Sequence, residues 1–99
     1  MKTLVIDIDG TICSQENPEN YKDAIPKLDV IDSINKYYEN GYIIIFYTAR
    51  HITRRELTEN WMNENGVKYH YISYGKPVGD FYIDDKNRSI NDMLEGELY

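Results

Sequence analysis

The chain has 99 residues, a formal net charge of −6 and a sequence pI near 4.8. That allows one domain with a small core and disfavours non-specific attraction to nucleic acid or an anionic membrane. Hydrophobic residues amount to 41%, ordinary for a globular domain, and no apolar run approaches the roughly 18 residues that a membrane-spanning helix needs. The single cysteine, Cys13, excludes an intrachain disulfide and suits a reducing compartment. A strand pattern begins almost at the first residue and leaves no room for a secretory leader, so the expected location is the cytoplasm. Ten tyrosines exceed what so small a core can hide. An exposed aromatic surface, serving a homo-oligomer or a ligand, is therefore expected.

Residues 2–8 read as a buried strand. Residues 11–25 are polar, with Asn17, Pro18 and Asn20 as turn formers, and read as a loop over the strand end. Leu28, Ile31, Ile34 and Tyr38 recur at helical spacing, with Pro26 suited to the first turn and Gly41 to the stop. Residues 42–47 are β-branched and aromatic on both faces, the pattern of a central parallel strand. Thr53-Arg54-Arg55-Glu56 fits a capping box, and Leu57 and Trp61 continue a helix that Gly66 ends. Residues 69–73 and 81–83 read as short strands separated by a Gly75-Lys76-Pro77 loop, and Ile90, Met93 and Leu94 suggest a last short helix. Strands alternating with helices predict a Rossmann-like, three-layer α/β/α sandwich on a mainly parallel sheet, one domain over residues 1–99.

Polar residues recur where these strands end. Asp7 and Asp9 are spaced by two, so both project to one side at the end of the first strand. Thr48 follows the second strand, Lys76 the third, and Asp84-Asp85 the fourth. The C-terminal edge of a parallel sheet is where such folds place their chemistry. Two carboxylates side by side repel unless a cation or a proton offsets them, which points to a metal site and to a nucleophile paired with an acid/base. The plainer reading of each residue alone is a solvated strand-end or turn side chain.

Together, Asp7-Ile8-Asp9-Gly10-Thr11, Thr48, Lys76 and Asp84-Asp85 resemble, in order, the four motifs of the haloacid dehalogenase (HAD) superfamily. The resemblance implies a Mg²⁺-dependent phosphomonoester hydrolase working through an aspartyl-phosphate. Asp7 would be the nucleophile, since a carboxylate attacking phosphorus splits one hard step into two. Asp9 would protonate the leaving oxygen and later activate water. Gly10 would permit the tight strand exit and close approach of ligand to backbone, while Thr11 reads as a turn residue. Thr48 would offer its hydroxyl to a phosphoryl oxygen beside the Ala49 amide, and Lys76 would offset the negative charge of substrate and nucleophile. Asp84 and Asp85, with Asp7 and the main-chain carbonyl of Asp9, would complete an oxygen shell for Mg²⁺.

Arg50 could grip a second anionic group bidentately, with His51 near it. Arg54 and Arg55 read as solvated, His70 as structural and Cys13 as a small filler. Neither residues 11–26 nor 49–75 have room for a separate cap, so a cap-less enzyme is expected, open to a bulky substrate or covered by a neighbouring subunit. The wording Asp-Gly-Thr-Ile-Cys, Tyr47-Thr48-Ala49-Arg50 and Tyr82-Ile83-Asp84-Asp85-Lys86 further resembles small HAD proteins of capsular and surface polysaccharide synthesis, which implies a sugar phosphate as substrate. Two other readings remain open: a nucleotide or nucleic acid 3′-end phosphatase, which the low pI disfavours, and a non-catalytic phospho-accepting domain, which has no need of Asp9.

Overall fold

The computed structural model describes residues 2–74 and 81–83. Its elements are β1 (Thr3–Asp7), α1 (Leu28–Glu39), β2 (Ile43–Tyr47), α2 (Arg55–Glu64), β3 (Tyr71–Ser73) and β4 (Phe81–Ile83), with 3₁₀ segments at Pro18–Asp23 and Ile52–Arg54. The four strands form one sheet in the order β3-β2-β1-β4, and every pairing is parallel. The register sets Asp7 opposite Tyr47 and Tyr47 opposite Ser73, so these strands end level with one another. Thr48 and Asp9 therefore leave the sheet on one edge.

β1 and β2 are central, and their composition says why. Leu4, Val5 and Ile6, like Ile44, Ile45 and Phe46, are all buried, as strands covered on both faces must be. Leu4, Ile6, Ile44 and Phe46 share a core with Val30, Ile31, Ile34 and Tyr37 of α1 and with Trp61 and Met62 of α2. Both helices thus lie on one face, as two right-handed crossovers stepping in the same direction require. Each fully buried Leu, Ile or Phe contributes about 1.5–3 kcal/mol of transfer free energy. The last short helix expected near residues 90–94 lies outside the described residues. Among the described residues there is no cap domain, and no helix is long and apolar enough to cross a membrane.

Four local expectations need correction. Leu28 is exposed, at 63%, because at 100° per residue it stands about 130° from the centre of the stripe formed by Val30, Ile31, Ile34 and Tyr37. Pro26 precedes α1 and bridges to Cys13, while Lys27 occupies the N-cap position. The capping box is not formed: Thr53 lies in a 3₁₀ turn, its N–H donates to His51 Nδ1 at 3.2 Å, and α2 starts at Arg55. On α2 it is Thr58, Trp61 and Met62 that are buried, with Leu57 only half-buried.

The segment after β1 is a folded flap. Its neck is closed by Ser14 N–H to Ile25 O, Ile25 N–H to Ser14 Oγ, and Lys27 N–H to Ile12 O, each 2.8 Å. Its body is the 3₁₀ segment Pro18–Asp23, and Trp61 Nε1 of α2 donates to Ala24 O at 3.0 Å.

Candidate active site

Asp7 is the last residue of β1 and half-buried; its Oδ1 accepts the N–H of Ile8 at 2.8 Å. The chain then turns sharply. Ile8 O accepts from Thr11 N at 3.1 Å and Ile12 N at 3.0 Å, and Gly10 N–H donates to Cys13 O at 3.0 Å. Gly10 takes φ +81° at this turn, a conformation that costs a residue with Cβ. Lys27 Nζ donates to Gly10 O at 2.9 Å, tying the foot of the flap to the turn. The turn swings Asp9 back over the strand edge.

Asp9 faces Arg50. Arg50 Nε donates to Asp9 Oδ2 at 3.0 Å, and Nη2 donates to Oδ1 at 2.7 Å. The Arg50 side chain is 1% exposed and that of Asp9 17%. Nη1 donates to Thr58 Oγ1 of α2 at 3.0 Å, and the Tyr21 ring of the flap covers the guanidinium at 3.8 Å from its centroid. A desolvated cation is held here by a carboxylate, a hydroxyl and an aromatic face together. The fork that the sequence assigned to a second substrate anion is occupied by Asp9.

Thr48 is buried one residue beyond β2. Its N–H donates to Ser73 O at 3.1 Å, and its Oγ1 accepts the N–H of Arg50 at 3.0 Å. With an acceptor site of the hydroxyl filled, its own proton is the one to offer outward. Ala49 is exposed between Thr48 and Arg50. His51 is exposed, and its Nδ1 meets both the N–H and the Oγ1 of Thr53, so it caps the 3₁₀ turn. Lys76, Asp84 and Asp85 lie outside the described residues.

The fold brings Asp7, Asp9, Gly10, Thr48 and Arg50 to one edge. Sequence reasoning missed Tyr21, Lys27 and Thr58. Only Thr58 carried a signal: it stands on the apolar stripe of α2 three residues before Trp61, where a buried hydroxyl needs a partner. Cys13 is fully buried, and burial followed by the charge of Asp9 pushes its thiol up to about 11; it is a filler of the core and not a nucleophile.

The oxygen donors at this edge that would face a divalent cation are the Asp7 carboxylate and the main-chain carbonyl of Asp9, since both carboxylate oxygens of Asp9 are engaged by Arg50. Oxygen donors suit Mg²⁺, and the buried Thr11 hydroxyl, two residues on, has no partner among the described residues. Among the described residues no group of three or more acids, histidines or cysteines gathers at one point. The donors fit the ion in kind, and their number turns on Asp84 and Asp85.

A family profile described as PITM 1-3, LNS2 domain, matches residues 4–98. No curated protein matches in sequence. Among solved structures, a structural-genomics target from Vibrio cholerae is 29% identical, with TM-score 0.69 over 98% of this chain and 99% of its own. A chain of the Pnkp1/Rnl/Hen1 RNA repair complex is 22% identical at TM-score 0.72, covering 98% of this chain and 40% of that one. D,D-heptose 1,7-bisphosphate phosphatase from Burkholderia thailandensis is 14% identical at TM-score 0.55, covering 74% and 50%. The strand-edge acids thus sit in a scaffold shared with phosphatases, and the profile spans nearly every residue: the chain belongs to the PITM 1-3 LNS2 domain family and has the HAD-like phosphatase fold.

Proposed function

We propose that this protein is a Mg²⁺-dependent phosphomonoester hydrolase that works through an aspartyl-phosphate on Asp7. The observation that carries the proposal is the convergence of Asp7, Asp9 and Thr48 on one strand edge, with Asp9 fixed by Arg50. An Asp7 oxygen attacks phosphorus in line; the P–O bond to the leaving group breaks, and Asp9 hands that oxygen a proton. Water then attacks the acyl phosphate, Asp9 takes its proton, and phosphate leaves. Thr48 Oγ1–H donates to an equatorial oxygen as charge develops there. Lys76 contributes fixed positive charge. Asp7, the Asp9 carbonyl, Asp84 and Asp85 would hold Mg²⁺, which supplies charge neutralisation at the phosphoryl oxygens.

Arg50 is a positioning residue in this scheme. A proton on Asp9 occupies one oxygen and opens that arm of the fork, and handing the proton to the leaving oxygen restores the carboxylate and closes the fork again. In this scheme Gly10 and the Ala49 amide would approach the phosphoryl group, and His51 would meet the remainder of the substrate. The substrate is a small phosphorylated metabolite, a sugar phosphate by the capsular-type wording of the motifs, and the HAD-like heptose bisphosphate phosphatase is a precedent on the same scaffold. The location proposed is the cytoplasm.

The test is phosphate release from a panel of sugar phosphates and nucleotides. The parent protein turns over at least one of them in Mg²⁺, and Asp7→Asn releases none while keeping its circular dichroism spectrum. Turnover by Asp7→Asn refutes the nucleophile. The Arg50 fork favours one second reading, a phospho-accepting domain in which Asp9 is only an ionic partner. Labelling of Asp7 by acetyl phosphate without turnover would establish it.

A further inference from the structure

A cleft of about 870 Å³ lies between α2 and the edge strand β3, within the size range of ligand sites. One end lies beside the segments that follow β2 and β3. Ile52, in its lining, belongs to the same loop as Thr48, and Tyr74, also in its lining, follows Ser73, whose carbonyl takes the Thr48 N–H at 3.1 Å. The other end reaches Lys68 and Tyr69. A volume of about 870 Å³ is more than one pyranose ring needs.

The walls carry aromatic surface and neutral hydrogen-bonding groups. Tyr71 is 50% exposed. His70 Nδ1 accepts the N–H of Ile44 at 2.9 Å, which leaves the ring proton on Nε2 as a donor. Asn63 adds an amide and Tyr74 a further phenol ring to the lining. The cations of the lining are already matched. Arg55 Nε meets Glu59 Oε2 at 2.7 Å, and Lys68 Nζ meets Glu39 Oε1 at 2.6 Å. Recognition of a nucleic acid backbone uses unmatched Lys and Arg, and a chain of net charge −6 offers an anion little attraction along this path. Aromatic faces with amide, hydroxyl and imidazole donors suit a neutral polyhydroxylated ring.

We infer that this cleft binds the non-phosphorylated part of the substrate, and that this part is an uncharged saccharide of at least two rings. The inference rests on the phosphatase reading for its catalytic end. The phosphoryl group lies at Asp7 and the sugar chain runs along β3.

The experiment compares acetyl phosphate, glucose 6-phosphate, adenosine monophosphate and a panel of disaccharide monophosphates, trehalose 6-phosphate among them, with parent, Tyr71→Ala and Asn63→Leu. Both substituted side chains are exposed and stand outside the catalytic edge. At least one disaccharide phosphate is expected to exceed glucose 6-phosphate in kcat/KM. Tyr71→Ala is expected to raise its KM about tenfold, the scale of one lost stacking contact, with acetyl phosphate turnover unchanged. The inference is overturned if the variants scale every substrate by the same factor, or if an adenosine phosphate is the substrate that gains from Tyr71. Titration of maltotriose against ¹⁵N-labelled protein reads the cleft without catalysis: shifts confined to the two walls, residues 52–63 and 67–74, support it, and shifts elsewhere or none at saturating sugar overturn it. A protein that shows those shifts but turns over no phosphate keeps its cleft and loses the phosphatase reading.

Discussion

Arg50 holds Asp9 with both arms of its guanidinium, Nε to Oδ2 at 3.0 Å and Nη2 to Oδ1 at 2.7 Å, across a sequence separation of 41 residues. The pair locks the exit of β1 to the exit of β2. Lys at this position would keep the charge and lose the fork. Arg50→Lys is therefore expected to lower kcat by about 10- to 100-fold with a much smaller change in KM, since orientation of Asp9 serves the proton step. Arg50→Ala strands a carboxylate that is largely out of water, at a cost of about 3 kcal/mol or more in folding stability. Steady-state kinetics and urea unfolding separate the two effects. A kcat that Arg50→Lys leaves intact removes the positioning role.

The proposed Mg²⁺ site gives a second prediction. Activity is expected to vanish in EDTA and return with added Mg²⁺, and saturating Mg²⁺ is expected to raise Tm through ligand linkage. Full turnover in EDTA would sink the metal assignment, and an unchanged Tm would count against a site assembled in the folded protein.

Cys13 gives a pH signature. Its thiol lies at about 11 in the folded chain against the usual 9.0, through burial first and the charge of Asp9 second. The folded state holds the proton more tightly. The resulting stability, about 2–3 kcal/mol, is complete below pH 9 and is lost as pH rises through 11. Urea unfolding of the parent and of Cys13→Ala from pH 8 to pH 11 isolates this share from that of Tyr69 and Tyr74, whose phenols burial also pushes up. At pH 8 iodoacetamide is expected to modify Cys13 only after unfolding; alkylation of the native protein would contradict the burial.

The indole of Trp61 is the tie between α2 and the flap, through Nε1–H to Ala24 O at 3.0 Å. Trp61→Phe keeps the ring in the core and leaves that carbonyl without its donor. A loss of about 1–2 kcal/mol is expected, measured by circular dichroism because the only tryptophan is gone. Proteolysis within residues 14–25 should quicken in step, and an unaltered rate would show that the flap holds without the tie.

The strands and their level ends were legible because apolar residues on both faces of residues 4–6 and 43–46 admit little besides central parallel strands. Asp7, Asp9 and Thr48 could be placed on one edge for the same reason. The partner of Arg50 was not legible. A guanidinium after Thr48 suits a substrate anion as well as a carboxylate 41 positions earlier, and only the Gly10 turn decides which it meets. Tyr21 was hidden too, since nothing in a polar stretch marks one ring as the lid of a cation. Leu28 misled because the spacing of three to Ile31 fits a helix whether or not that helix begins one turn before its core.

The closed neck at Ser14 and Ile25 makes the flap tolerant of added length. Its two ends meet, so the sheet has no stake in the length of chain between them, and each doubling of that length costs only about 0.6 kcal/mol of closure entropy. Reshaping the ground above Arg50, whether by natural insertion or by grafting a longer segment at residues 17–20, can then change what approaches this edge while the strands, Asp7 and Thr48 stay where they are.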